Sequence, residues 1–516
     1  MAILAKTYTQ TVSQKEQLIP VAWLKQTPNE RHFTSNGDVM ISHSDGRLSQ
    51  FLVHLINQAQ ENVLICSFLL AHQAIEDAIF QAAERGVCVY LMLASENRLE
   101  KSSDDEFSQK CEQQHIAMLK RLAGKVFIRS APHYHAKAVL VDALNANHHA
   151  KGVLLTANIT FEALARNEEL AVVLPLQAIE ELVSFFRWGF FADAEHQMLD
   201  NHKFESVHKK AIEYPKNHQI MCFTSKQENS ILEKALHLIQ QAKQEIMVSS
   251  FGFDENHLLI EKLCEKAKQG ISVKILTRIR LTNMNALIKL AQAGAKIYGF
   301  QWLHAKALYI DNKQAMVMSA NLQKHGLDEG FEIGIQLHHQ AILELKACLD
   351  YFISQANYEL RLDLPLGHYL GEMKYWENQQ FIDLTIQAEK IENLPDDIAD
   401  CASDLSKNII LPKSDWRKNP VQTMVYRYQV VAPTLPNNAK EVFWEEKKAK
   451  PIEKDKHGND KKPEFEIIKH AYTPKVFVSN GQNYILITQE DELNEAIQLR
   501  NQKFKQAKIV VAKEKK

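Results

Sequence analysis

One succession of elements occurs twice in the first two-thirds of this 516-residue chain, and it constrains the fold more than any local signal. Glu61–Leu70 (ENVLICSFLL) and Gln244–Phe253 (QEIMVSSFGF) each read as a buried strand that contains Ser-Phe. An amphipathic helix precedes each, around Leu48–Gln60 and Ser230–Lys243, and another follows, Gln73–Arg85 and Glu255–Gln269. Gly86 and Gly270 then turn the chain into further strands, VCVYLML and ISVKILT. Later in each half comes a polar-in-apolar strand, His133–Asp142 (HYHAKAVLVD) and Trp302–Asp311 (WLHAKALYID). After these stand Leu154–Asn158 and Val317–Asn321, then Asn167–Leu174 and Gly330–Leu337. The order is the same in both halves, so a duplication with strands alternating with helices is expected, in α/β layers.

The spacing within the copies is informative. His135 lies 23 positions before Asn158, whereas His304 lies 17 before Asn321. The excess falls in the polar stretch Ala143–Lys151, which reads as a loop extension of the first copy. From Asn to Glu the spacing is 11 in both, Asn158 to Glu169 and Asn321 to Glu332. Residues 195–218 read as a polar connector, and Gln340–Leu360 as a long helix closing the second copy. Beyond this the sequence changes character. It holds strand-like runs such as TMVYRYQVVA, a hairpin signal at Asn480-Gly481, the charged loop Lys447–Pro463, and a helix over Glu492–Gln506. The expected domains are therefore 1–200, 219–362 and a smaller β-rich or α+β C-terminal region, 365–516.

The repeated polar residues suit chemistry on a phosphate. Side chains alternate along a strand, so His135 shares a face with Lys137, and His304 with Lys306. Asp142 and Asp311, at an odd offset from the histidines, point away and are given a structural part. An imidazole can act as nucleophile or general acid near neutral pH. An ammonium neutralises the non-bridging oxygens. Asn158 and Asn321 offer amide donors, and Thr156 and Ser319 hydroxyl donors, to the same oxygens. Glu169 and Glu332 are the carboxylates expected to hold the imidazole rings, with Glu168 the weaker choice because it breaks the equal spacing. Displacement at phosphorus needs a nucleophile on one side and a proton donor on the other. Two half-sites facing across a pseudo-two-fold axis supply both without a metal.

His135-x-Lys137-x4-Asp142 and His304-x-Lys306-x4-Asp311, followed by Leu155-Thr156-Ala157-Asn158 and Met318-Ser319-Ala320-Asn321, resemble the phospholipase D superfamily over roughly residues 45–350. The glycine that the family carries before Ser/Thr-x-Asn is absent from both copies. The resemblance implies two α/β/α lobes side by side with the active site at their seam, and metal-independent chemistry. It also implies His135 as nucleophile forming a phosphohistidine, with His304 as acid and base. The sequence alone does not fix that order.

For substrate, a nuclease acting on DNA or RNA is the first expectation. SANLQKHGLDEGFEIGI is similar to soluble bacterial nuclease-like members of the family, and Lys274, Arg278 and Arg280 are candidates for contacts to a phosphate backbone. The alternatives are a phospholipase D or phosphatidyl transferase on phospholipid headgroups, which an apolar rim including Phe300 and Trp302 would favour, and a catalytically silent phosphate-binding module. The net charge of −2 provides no global field for a polyanion, so any such site is local. No apolar run approaches the ~18 residues that span a bilayer, and seven scattered cysteines suit a reducing compartment. A cytoplasmic enzyme without metal or other cofactor is expected, with nucleic acid or phospholipid as partner and a protein partner open to the C-terminal region. No Walker-type loop is present, and ATP hydrolysis is not expected.

Overall fold

The strand β2 (Asn62–Ser67) buries all six of its side chains, and β11 (Glu245–Ser250) all but the first. Such continuous burial arises when a sheet is covered on both faces. The computed structural model describes residues 2–6, 18–28, 33, 35, 37–42, 46–94, 106–144, 149–199, 203–365, 371–377, 379–386, 430–435, 439–451, 454, 464–471 and 507–511. It comprises two compact units, Gln26–Leu360, and Met1–Lys25 together with Arg361–Lys516.

Within Gln26–Leu360 the two copies build one sheet each. The helix α1 (Arg47–Asn57) buries Leu48, Leu52, Leu55 and Ile56, spaced for one helical face. The helix α2 (Gln73–Glu84) does the same with Ile75, Ala78, Ile79 and Ala82. Gly86 and Gly270 adopt φ values of 89° and 85°, the left-handed region that ends a helix with no Cβ penalty. They lead into β3 (Cys88–Ala94) and β12 (Ser272–Arg278), which run parallel to β2 and β11 in the same register: Val63 faces Val89, and Ile246 faces Val273.

The first sheet adds β1 (Val39–Ile41), β4 (Phe127–Ala131), β5 (Ala138–Val141), β6 (Lys151–Leu155), β7 (Leu170–Val173), β8 (His196–Met198) and β9 (Phe204–Ser206), in the order β9-β8-β4-β3-β2-β5-β6-β7-β1. The second adds β10 (Met221–Thr224), β13 (Lys296–Phe300), β14 (Ala307–Ile310), β15 (Gln314–Met318), β16 (Glu332–Leu337) and β17 (Tyr358–Pro365), in the order β10-β16-β15-β14-β11-β12-β13-β17. Residues 195–218 are thus more than a connector, since β8 pairs with β4 and extends the sheet. The expected helix to Leu360 stops at Ser354, and the chain turns into β17.

The lobes share a core. The helices α3 (Leu176–Trp188) and α4 (Gln340–Ser354) contribute to one apolar cluster with residues of both sheets. Phe185 stacks on Phe223 at 4.0 Å and on Phe331 at 4.4 Å, joining first-lobe and second-lobe side chains. Gly189 ends α3 where a Cβ would lie 2.6 Å from the Phe331 ring, so the close approach needs glycine.

The other unit is β-rich where it is described. Leu18–Lys25 pairs with Gly371–Glu377, which pairs with Gln380–Ile386. Ala439–Ala449 pairs with Phe465–Ala471 and Ala507–Val511. The first 25 residues therefore group with the C-terminal region and not with the first lobe. The Asn480-Gly481 hairpin, the Glu492–Gln506 helix, most of the charged loop and residues 145–148 of the loop extension lie outside the described residues.

Candidate active site

The motif histidines and lysines do not sit in regular strand. The strands begin one residue later, at Ala138 and Ala307. Each approach segment is held from both sides. Leu155 N–H donates to Lys137 O (2.9 Å) and Met318 N–H to Lys306 O (3.1 Å), within each lobe. His135 N–H donates to Phe331 O (3.0 Å), and His304 and Ala305 N–H groups donate to Glu168 O (3.0 and 2.8 Å), across the lobes. Short parallel bridges Tyr134–Phe331 and Glu168–Leu303 accompany these bonds.

The carboxylates also cross. Glu332 Oε1 lies 2.7 Å from His135 Nδ1, and Glu169 Oε1 lies 2.8 Å from His304 Nδ1. An ionised carboxylate only accepts, so His135 Nδ1 carries the proton and its Nε2 is the nitrogen left for phosphorus. His304 Nδ1 lies 2.8 Å from Lys306 Nζ as well as from Glu169. The second oxygen of each glutamate is also engaged. Glu169 Oε2 accepts from the Thr156 hydroxyl at 2.6 Å, and Glu332 Oε2 accepts from the Ser319 hydroxyl. Thr156 and Ser319 were expected on the phosphate. They are instead fully buried and committed to the glutamates.

Lys137 and Lys306 have no exposed surface, and each Nζ donates to the carbonyl of its own motif histidine (2.6 and 2.5 Å). Asn158 and Asn321 each leave a buried amide oxygen without a hydrogen-bond partner, at equivalent places in the two copies. Such atoms are usually satisfied. An amide oxygen only accepts, so it is the amide N–H groups of these two residues that suit a phosphate oxygen. The backbone after each asparagine is fixed by a strand-end serine: Ile159 N–H donates to Ser67 Oγ and Leu322 N–H to Ser250 Oγ, both at 3.1 Å. Phe68 and Phe251, which follow those serines, stand edge-on to His135 (5.6 Å) and His304 (5.1 Å). The repeated Ser-Phe was visible in the sequence, but nothing there tied it to the histidines.

Asp142 and Asp311 lie outside this group. Both take φ of 52° just past their strands. Asp142 accepts from the N–H groups of Gln60, Glu61 and Asn62 (2.7–3.1 Å), and Asp311 from Lys243, Gln244 and Glu245 (2.6–2.9 Å). Each clasps the start of the central strand of its own sheet.

Burial controls the electrostatics. It pushes His135 and His304 down to about 4, helped by Lys137 and Lys306, while the facing glutamates pull upward. Burial likewise lowers Lys137 to about 8 and Lys306 to about 7. Burial alone would raise Glu169 and Glu332, but the facing histidine and the lysines outweigh it and hold both below the usual carboxylate range. Each lysine acts on the opposite histidine as well as its own, as convergence of the two half-sites requires. The imidazoles keep 16% and 14% of their surface open, which leaves a ligand access to them.

Of the other candidates, Lys274 is paired with Glu245 at 2.7 Å and is not a free phosphate contact. Phe300 is wholly buried in the core and forms no rim. Trp302 lies under the Arg166 guanidinium at 3.8 Å. Among the described residues, no helix is long and apolar enough to cross a membrane.

The chain matches the family described as "Cardiolipin synthase, PLD-like domain" over residues 52–188 and 235–352, one segment in each lobe. It is 24% identical over 352 residues to Cardiolipin synthase A of Buchnera aphidicola subsp. Acyrthosiphon pisum (strain APS), covering 63% of this chain and 71% of that protein. Among solved structures it is similar to phosphatidylserine synthase from Haemophilus influenzae Rd KW20 (12% identity, 67% of this chain, 91% of that chain, TM-score 0.46). It is also similar to Nuc, a phospholipase D family member from Salmonella typhimurium (21% identity, 27% of this chain, 96% of that chain, TM-score 0.24). The duplicated α/β lobes and the doubled His-x-Lys site define a phosphodiester-cleaving enzyme. The chain belongs to the phospholipase D superfamily.

Proposed function

We propose that this enzyme transfers or hydrolyses phosphatidyl groups of phospholipids through a phosphohistidine. The crossed pairs His135–Glu332 and His304–Glu169 carry the reaction. The likeness to Cardiolipin synthase A along most of that protein's length supports a phospholipid in preference to the nucleic acid first expected from the sequence.

On binding of the phosphodiester anion His304 takes up a proton on Nε2. His135 Nε2 then attacks phosphorus, the bond to the leaving alcohol oxygen breaks, and His304 gives that oxygen the Nε2 proton. In the second, an alcohol or water attacks the phosphohistidine and His304 takes the proton. The P–N bond then breaks, returning its electron pair to His135. Lys137, Lys306, Asn158 and Asn321 bind the non-bridging oxygens throughout. Their charge and amide dipoles act in a water-poor site, where they stabilise the transition state most. The glutamates fix the tautomer and orientation of both rings.

The test is incubation of the whole protein, with chelator present, with labelled phosphatidylglycerol vesicles plus glycerol, and separately with labelled single-stranded DNA, double-stranded DNA and RNA. Headgroup exchange or phosphatidic acid is the expected product. Cleavage of nucleic acid with no change in the lipid would reverse the assignment in favour of a nuclease.

A further inference from the structure

The catalytic residues are repeated in the two lobes, but the groups beside them are not. On the His304 side, Arg280 lies 4.3 Å from the centre of the Phe251 ring, and Phe251 in turn lies 5.1 Å from His304. Arg278 lies 5.5 Å from the same Phe251 ring and 4.7 Å from Trp302, whose ring also carries Arg166 at 3.8 Å. Three guanidinium groups are thus arrayed over two aromatic rings next to one of the two catalytic histidines.

The strand registers give their counterparts in the first lobe. Ser67 faces Leu93 and Ser250 faces Thr277, so Arg278 corresponds to Ala94, and counting two further along the sequence Arg280 aligns with Glu96. Counting back from Glu169 and Glu332, Arg166 corresponds to Glu329, and Trp302 corresponds to His133 by its place before the motif. In sequence, three cations of one half therefore align with an alanine and two acids of the other. A duplicated site that keeps its chemistry symmetric and its flank asymmetric is built for a substrate with unlike ends.

Arg278 and Arg280 are half-buried, and neither forms an ion pair with a carboxylate among the described residues. Glu168, which interacts electrostatically with Arg278, keeps its buried Oε2 without a hydrogen bond. Burial lowers the affinity of Arg278 for its proton, and the charges of Arg166 and Arg280 add to this, against the smaller opposing pull of Glu168 and Glu169. Like charges gathered in this way are stabilised by an anion between them.

We propose that Arg278 and Arg280, with Arg166 behind them, form a subsite for a second anionic group, a phosphate carried by the alcohol that leaves from or adds to the phosphohistidine. The placement follows from the assignment of His304 to the alcohol oxygen, on which this inference rests. No more than the two ring spacings together separates Arg280 from His304, a span suited to a short diol joining a reacting hydroxyl to a phosphate. Guanidinium groups bind such a phosphate through paired N–H donors, and the ring faces hold them in place.

The test uses bis(4-nitrophenyl) phosphate as donor, so that formation of the phosphoenzyme does not depend on the lipid assignment. Glycerol and glycerol 3-phosphate then compete as acceptors at equal concentration. The catalytic phosphate position is already occupied in the phosphoenzyme, so the acceptor's own phosphate reads the arginine subsite. The wild-type enzyme is expected to favour glycerol 3-phosphate by about tenfold or more. The Arg278→Gln/Arg280→Gln variant should bring the product ratio near one, and Arg280→Lys should retain part of the preference. Equal use of both acceptors by the wild-type enzyme overturns the proposal, as does a preference that survives in the double variant. Should the double variant fail to fold by circular dichroism, the wild-type ratio is followed against salt. A fall with added salt supports the subsite, and a salt-independent ratio counts against it. Nitrophenol release without turnover of phospholipid vesicles would separate failure of the lipid assignment from failure of the subsite.

Discussion

Glu332 belongs to the second lobe, yet it holds His135 of the first, at 2.7 Å through Nδ1. Glu169 returns the arrangement to His304 at 2.8 Å. Neither half-site is complete within its own copy of the repeat, so the duplication supplies each histidine with its carboxylate as well as with its catalytic partner.

Replacing Glu332 by Gln keeps the shape of the side chain but allows an amide donor to face Nδ1, which then favours the wrong tautomer. We expect Glu332→Gln and Glu169→Gln each to lower kcat by roughly 10²–10⁴-fold with little change in far-ultraviolet circular dichroism. Turnover within a factor of a few of wild type in both variants would show that the carboxylates are not needed to hold the rings.

The two histidines separate with an activated donor. 4-Nitrophenolate leaves without a proton, so His304→Ala should still form the phosphoenzyme from bis(4-nitrophenyl) phosphate and then stall. His135→Ala should form none. Intact-mass spectrometry of each variant after mixing reads the adduct directly, and an adduct in His135→Ala would exchange the roles.

Substrate binding should take up a proton. In the free site two lysines and two glutamates balance around imidazoles held neutral by burial, with pKa near 4. A phosphodiester anion adds one negative charge beside them and raises those values, which allows His304 to gain the proton it later donates. Titration calorimetry of dimethyl phosphate, a diester with no ionisation near neutral pH, at pH 6.5 in buffers of different ionisation enthalpy should give an apparent enthalpy whose slope reports net uptake. A zero slope, or a slope for release, would contradict the charge balance described for the site.

The same burial predicts a pH dependence of stability. Between about pH 6.5 and 4 the unfolded chain binds protons on these two histidines, whereas the folded protein does not. Their contribution is therefore fully present above 6.5 and is lost as pH falls through that window. Substituting one of them by Gln should flatten the fall of Tm with acidification relative to wild type. Parallel Tm curves for His304→Gln and wild type from pH 7 to 4.5 would show that the histidine is not depressed in the fold.

Much of this architecture is legible in the sequence because the repeat carries it. Continuous apolar strands, flanking helices and glycine turns recur at matching positions, and each obeys local rules. The equal spacing that singles out Glu169 reflects its place at the start of β7, from which it reaches His304, while the adjacent Glu168 turns to the Arg278 side. The crossing of the carboxylates was not legible, since it depends on how two lobes meet and not on either one. Thr156 and Ser319 misled for a related reason: a hydroxyl near a phosphate site and a hydroxyl that braces a buried glutamate have the same residue type and spacing. Pairing of β8 with the edge of the first sheet was hidden because its outward-facing polar residues dilute the strand pattern.

The main-chain bonds across the lobes also bear on how substrate enters. His135 N–H on Phe331 O, Phe331 N–H on His133 O, and His304 N–H on Glu168 O tie the two backbones together at the reacting centre itself. Swinging the halves apart would tear these bonds and scatter both nucleophile and acid. The nucleophile and the acid therefore meet a substrate on one joined stretch of backbone.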